Sequence, residues 1–414
     1  MNYDKVFVLD NGADSIKAGF EGECKIFPNF VSRAKDKRVY ISDAIETCHD
    51  FAGMMFRRPF ERGYLVNWES EAAIWGRLFD TCKVDPDSTA LVLTEAPFCP
   101  PQLQTACDQM VFEEYSFEAA YRCVGSSLVS YNDHRSLYKD LWRSQPSECV
   151  LVIDSGYSFT HVTPIINGIA QQSNTTRMNI GGKVLTNLLK EVISFRHYNM
   201  MDEFYLINQV KEDVSFISTN FSKDLEIAQL KKNPLKVDYV LPGYSMRRRG
   251  YTRTAAEKVG EEEQVLTLSN ERFTIPEIMF SPSDIGMKQA GIPEAVMQAI
   301  EGLSEDLQTL CMANIVLVGG NTCIDGFKER LQMELDCLKP QNATIRLGLP
   351  NNPMTYVWEG GVNLGNHETF DKICVTKAAY QEHGSSRLSS RPPQHDLIQH
   401  SHEPISTASA SDSS

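Results

Sequence analysis

Val6-Phe7-Val8-Leu9-Asp10-Asn11-Gly12 has a second version in mid-chain, Val150-Leu151-Val152-Ile153-Asp154-Ser155-Gly156. Each is an apolar, β-branched run that ends in an aspartate and a tight polar-glycine turn. Such a run reads as a buried strand. A strand that delivers a carboxylate into a glycine turn suits phosphate: small residues let backbone N–H groups approach its oxygens, and the aspartate can hold a metal or its water. Two copies, one heading each half of the chain, imply two related lobes closing on one nucleotide.

The 414 residues suffice for two domains with full cores. An apolar share of 42% and a charged share of 23% are those of an ordinary globular protein. No run approaches the roughly 20 apolar residues of a membrane span, and the N-terminus lacks the shape of a signal peptide. The 11 cysteines are scattered and never form a Cys-x-x-Cys pair, which points to reduced thiols and away from a disulfide frame or a structural zinc. A formal charge of −14 argues against a protein whose main work is coating duplex DNA. Basic clusters at Lys35 to Arg38, Arg57-Arg58 and Arg247-Arg248-Arg249 read as solvated loop charge, with a local phosphate contact as the alternative.

Strand and helix signals alternate along most of the chain, an α/β pattern. Thr89 to Pro97 and Ile315 to Gly320 predict buried strands, and Phe112 to Tyr131 a strand turning into a helix. Leu185 to Arg196, Met201 to Phe216 and Gly326 to Leu338 predict amphipathic helices. Asn233 to Glu263 mixes proline, glycine, an arginine triplet and an acidic triplet, and reads as a surface insertion. From Gly384 the chain is rich in serine, histidine and proline, the composition of a disordered tail.

In this order the motifs resemble the actin superfamily, to about Tyr380. Val8 to Gly12 with Lys17 to Phe20 is similar to its first phosphate loop, and Ile153 to Gly156 with Thr160-His161 to its second. Gly181-Gly182-Lys183 resembles its hinge-side loop; Lys211-Glu212 and Val318-Gly319-Gly320-Asn321 resemble its adenosine segments. Trp358 to Gly361 and Val375 to Tyr380 complete the return into the first lobe. Gly156 to His161, Val210 to Val214, Asp238 to Pro242, Asn270 to Phe273 and Pro282 to Gly286 narrow the resemblance to nuclear actin-related proteins of class six.

The resemblance implies an α/β, actin-like ATPase fold, two ribonuclease-H-like lobes around a central nucleotide cleft. Residues 1–145 plus 345–383 would form the first lobe, with a small subdomain at about 29–68. Residues 146–344 would form the second, with the insertion at about 233–263, and 384–414 the tail. It implies that ATP or ADP, with magnesium, would meet Asp10, Asn11, Gly12, Lys17, Asp154, Ser155, Gly156, Gly181, Gly182, Lys183, Lys211, Glu212, Gly319, Gly320 and Asn321. Asp10 and Asp154 would hold the cation through water.

Departures from the actin pattern imply a site without hydrolysis. Ala13 stands where the family has a phosphate-contacting serine, Asp14 where it has glycine, and Tyr157-Ser158 where it has aspartate and glycine. The glutamine that orients the attacking water is replaced by Gly125. Because such hydrolysis is mostly positioning and charge stabilisation, no catalytic residue is expected. His161, which is retained, reads as a hydrogen-bonded support. Ile324 and Met354, in place of a tyrosine and a lysine, could still sandwich an adenine.

The class implies a non-catalytic subunit of a nuclear machine that exchanges the Z variant of histone two-A into nucleosomes, with the cytoplasm a second location. Its partners would include a zinc-finger HIT-type protein, the helicase-like remodelling ATPase, and the nucleosome or the variant histone, with no membrane. The stretch Asn29 to Met55 is shorter than actin's filament loop and charged, so no self-polymerisation is expected. The competing reading is an active actin-like ATPase. Sugar kinases and the nucleotide domain of seventy-kilodalton chaperones share the fold, but the tail offers no peptide-binding domain and Tyr157 is a poor substrate base.

Overall fold

The computed structural model describes residues 3–48, 51, 53–138, 149–242, 249–253 and 263–385. Almost all of the expected tail, the junction at 145/146 and most of the centre of 233–263 lie outside the described residues.

Two six-stranded sheets carry the chain, built to one plan. In the first, the strand Lys5–Asn11 is central. Thr89–Glu95 runs parallel beside it, then Ala119–Val124, also parallel, with Val375–Thr376 antiparallel at the edge. On the other side the hairpin Ser15–Gly19 and Lys25–Pro28 follow antiparallel. In the second sheet Cys149–Ser155 is central, flanked by the parallel strands Ile315–Val318 and Leu347–Gly348 and by the antiparallel strands Thr160–Ile166 and Ile169–Ala170. Thr176–Met178 also pairs with Thr160–Ile166.

Strand alternation explains why both apolar runs lack polar residues. Successive side chains point to opposite faces, so a strand covered on both sides must be apolar throughout. Val150 and Val152 join Val8 and Val92 of the other sheet in one core that also holds Trp358 and Leu364. Leu151 and Ile153 face outward into a second core, beneath the helices Gly182–Arg196, Phe204–Val214, Ile292–Glu301 and Phe327–Leu338. Phe7 and Leu9 do the same in the first sheet, under the helix Trp68–Cys82 with its buried Ile74, Trp75 and Leu78. Each such side chain contributes roughly 1.5–3 kcal/mol on burial. The sheets therefore share an inner core, and the helix Tyr356–Gly365 is wedged into it. Gly361 allows this approach, because a Cβ there would lie 2.6 Å from Val8 Cγ1.

The small subdomain is a three-stranded sheet of Val39–Ile41, Val31–Arg33 and Met55–Arg57, beside a 3-10 turn at Ser42–Thr47. It has its own cluster of Phe30, Ile45, Cys48, Phe51 and Met54.

Two expectations are corrected. Residues 110–114 are helical before the strand Ala119–Val124, so Phe112 belongs to the preceding helix and not to the strand. Asn233 to Glu263 is more than a surface insertion. Val237–Val240 pairs with Val265–Leu268 and with Tyr251–Thr252, and Tyr239 is buried, donating its hydroxyl to Asp213 Oδ2 at 2.8 Å. A four-residue strand among charges and prolines leaves too short an alternation to read. Arg249 of the arginine triplet pairs with Asp213 at 2.6 Å, so it ties this sheet to the helix Phe204–Val214.

Candidate nucleotide cleft

The two aspartate-glycine turns leave their sheets on opposite walls of a cleft of about 610 Å³. Its lining includes Asp10, Asn11, Gly12, Lys17, Asp154, Gly156, Gly182, Lys211, Glu212, Gly319, Gly320 and Asn321. Ser155, Gly181 and Lys183 do not line it.

On the first wall, Thr94 Oγ1 donates to Asp10 Oδ1 at 2.8 Å and accepts from the Asn11 backbone N at 2.9 Å. Thr94 thereby fixes both the carboxylate and the start of the turn, a role sequence reading did not assign. Asn29 holds the turn from behind, donating its side chain to Gly12 O at 2.9 Å and its backbone N to Asp14 O at 2.8 Å. Lys17, opposite Asp10 in the hairpin, sets its Nζ 4.0 Å from Asp10 Oδ2.

On the second wall, Asn321 Nδ2 donates to Gly156 O at 2.8 Å and to Ser155 Oγ at 3.1 Å. Ser155 is buried, its hydroxyl 2.9 Å from Thr160 Oγ1, so it braces the loop rather than facing a ligand. Gly319 has φ +91°, and a Cβ there would come within 2.4 Å of Ser155 O and 2.9 Å of Asp154 Oδ1. Gly181 is needed for packing: its Cβ would meet Tyr157 O at 2.5 Å. Lys183 starts a helix with its side chain exposed, and only its backbone N reaches the loop, donating to Tyr157 O at 2.9 Å.

Asp154 is half-buried on the cleft wall, and loss of solvent there, reinforced by the Asp10 charge and opposed by Lys17, pushes its pKa up to about 7. Burial holds His161 near 4, so its imidazole is neutral at physiological pH. Two carboxylates with only one lysine between them form a donor set that suits a hard, hydrated divalent cation. Asp10 and Asp154 would hold magnesium through its waters, and the ion would offset phosphate charge.

At the far end, Lys211 Nζ donates to Asn208 Oδ1 at 2.9 Å and to Thr186 Oγ1 at 3.2 Å, while burial lowers its pKa. Asn208 Nδ2 donates to Glu212 Oε1 at 2.8 Å, so one amide sets both charged groups. Asn208 was not among the expected residues; its i+3 and i+4 spacing to Lys211 and Glu212 is the signal that could have found it. Ile324 and Met354 also line the cleft.

Gly125 also lines the cleft, offering no side chain to orient a water. Asp14 and Tyr157 share a partner, Arg58. Its guanidinium pairs with Asp14 Oδ1 at 2.8 Å, donates to Ala13 O and Asp14 O at 3.3 Å, and lies 4.5 Å from the centre of the Tyr157 ring. Arg58 is thus no solvated loop charge.

Residues 1–392 match the family model described as Actin. The chain is 40% identical over 410 residues to Actin-related protein 6 of Neurospora crassa, covering 92% of each. It is 40% identical over 379 residues to Actin-like protein ARP6 of Yarrowia lipolytica, covering 91% of this chain and 95% of that one. It is 35% identical over 401 residues to Actin-related protein 6 of Drosophila melanogaster, covering 93% of this chain and 99% of that one. The chain belongs to the actin family, and within it to the actin-related proteins of class six. Its fold is accordingly the two-lobed, nucleotide-binding fold of that family.

Proposed function

We propose that this chain is a non-catalytic structural subunit of a nuclear chromatin-remodelling complex, one that exchanges the Z variant of histone two-A into nucleosomes. The observation that supports the loss of catalysis is Gly125, which at its place on the cleft wall offers no side chain to align an attacking water with a terminal phosphate. The walls otherwise keep what holding a nucleotide requires: Asp10 and Asp154 for a hydrated cation, Lys17 as a point charge, and Lys211 with Glu212 beside Ile324 and Met354. ATP or ADP with magnesium fits that inventory, as a held ligand rather than a fuel. The complex role rests on similarity to the class-six proteins. In that setting the helicase-like remodelling ATPase, a zinc-finger HIT-type protein and the variant nucleosome are the partners, the nucleus is the location, and the chain joins in single copy.

Affinity purification of the full chain from nuclear extract tests this. Recovery of a helicase-like ATPase and a HIT zinc-finger protein is expected, together with loss of variant-histone exchange when the chain is depleted. Recovery without remodelling subunits would overturn the assignment. The ATPase alternative is favoured by the assembly of Asp10, Asp154 and Lys17 at one point. Single-turnover phosphate release above the buffer rate, abolished by Asp154→Ala, would establish it.

A further inference from the structure

The small subdomain is fastened to the helix Phe204–Val214 of the second lobe. Tyr205, on the helix Phe204–Val214, lies between two rings of the small subdomain: Phe51 at 5.4 Å with an interplanar angle of 22°, and Phe56 at 5.3 Å and 17°. Phe30 meets the same ring edge-on at 5.9 Å. Gly53 N donates to Glu203 Oε1 at 3.0 Å, just ahead of that helix. Deeper in, Arg58 reaches from the small subdomain to both phosphate loops, paired with Asp14 of the first and stacked on Tyr157 of the second. The Arg58 side chain is only 15% exposed, so the ion pair is partly shielded from solvent.

We propose that these contacts are a clasp made of protein, which holds the two lobes closed over the cleft whether or not a nucleotide is present. In a two-lobed nucleotide fold, the ligand touches both walls and its binding energy draws them together. Here an aromatic sandwich and a shared guanidinium already join the walls. Each of the three groups at the loops has a partner among the others: Asp14 neutralises Arg58, and Tyr157 gives the guanidinium a face to lie on. The clasp therefore separates lobe closure from ligand occupancy, and this inference stands independently of whether ATP or ADP is bound.

Hydrogen exchange on the full-length protein, stripped with chelator and then measured with and without Mg-ATP, tests it. In the stripped wild type, amides of Met55–Arg57 and of Phe204–Val214 are expected to exchange slowly, with less than about a twofold further slowing on adding Mg-ATP. Tyr205→Ala and Arg58→Gln are each expected to speed exchange at Met55–Arg57 by about tenfold or more. Tyr205→Phe, which keeps the stacked ring, should restore wild-type rates. Amides of the strand Ile315–Val318 report that the variants are folded. Fast exchange in the stripped wild type that slows only with Mg-ATP would show that nucleotide, not protein, closes the cleft, and would overturn the proposal. Unchanged exchange in both Tyr205→Ala and Arg58→Gln would overturn it equally.

Discussion

Lys17 faces Asp10 and His161 faces Asp154, each pair at the same register position of its own hairpin. The two lobes thus present matching carboxylates with unequal neighbours. Asp10 has an ammonium within 4.0 Å, whereas Asp154 has an imidazole that burial keeps neutral. Loss of solvent, with the Asp10 charge added to it, places the titration of Asp154 near neutral pH.

Asp154→Asn should therefore change the pH dependence of folding in a defined direction. The folded pKa is raised to about 7, so the unfolded chain releases this proton first as pH rises. The favourable contribution is complete at acidic pH and is lost as pH rises from about 4 to about 7. Urea titrations across that window should show the variant gaining stability relative to wild type by an amount on the order of 2–4 kcal/mol. A constant difference across the window would contradict the shift.

Glu71 provides a second, independent case behind the first loop. It is fully buried, and burial, opposed by Asn11, Trp75 and Asn29, raises its pKa to about 7. Its contribution likewise disappears as pH rises through the interval between the unfolded value and about 7. Glu71→Gln should remove that slope while leaving the slope due to Asp154 intact, which a double variant would reveal as an additive loss.

Gly125→Gln is expected to fold. A Cβ at Gly125 would meet Val357 Cγ1 at 3.4 Å and Thr94 Cβ at 3.6 Å, ordinary contacts. With a water-orienting amide supplied beside Asp10 and Lys17, single-turnover hydrolysis should rise by about tenfold or more over wild type. A folded variant with no gain would mean that Ala13, Asp14 and Tyr157 are enough to block the chemistry.

Gly319→Ala and Gly320→Ala should part company. The first requires an L-residue at φ +91° with its Cβ 2.4 Å from a carbonyl oxygen, whereas the second meets only Met354 Sδ at 3.7 Å. Thermal melts should show Gly319→Ala destabilised by about 1–3 kcal/mol and Gly320→Ala close to wild type.

Arg122→Met tests the first lobe beneath the cleft. Arg122 donates to Asp108 Oδ1 at 2.9 Å and to Glu95 Oε2 at 2.6 Å, with its side chain and that of Asp108 only 4% and 3% exposed. Removing the cation leaves two poorly solvated carboxylates facing each other, at a cost of about 3–5 kcal/mol in denaturant titrations.

The strand–aspartate–glycine turns were legible because their requirements are local. A strand covered on both faces must be apolar, and a turn that passes close to other backbone must be glycine, so Val150 to Gly156 and Gly319 announce themselves. Gly125, singled out against the family pattern, does line the cleft. The partnership of Arg58 with Asp14 and Tyr157 was not legible, since it joins residues from three separate parts of the chain. Read singly, Asp14 is a charge beside a phosphate pocket and Tyr157 a bulky intruder. Tyr205 looked like one more residue of an amphipathic helix. Lys183 shows the converse: its neighbour Gly182 lines the cleft, but the helical turn sends its own side chain to solvent.

The shared topology of the two sheets has one more consequence. Asp10, Ala13, Asp14, Asp154 and Tyr157 lie at or beyond the ends of the central strands, outside the three apolar clusters that stabilise the sheets. Chemistry and foldedness are consequently separate properties of this chain. The rim of the cleft can be rewritten, a serine exchanged for Ala13 or a glycine for Asp14, without withdrawing a single side chain from the core. Such a frame can outlive the reaction it was shaped for.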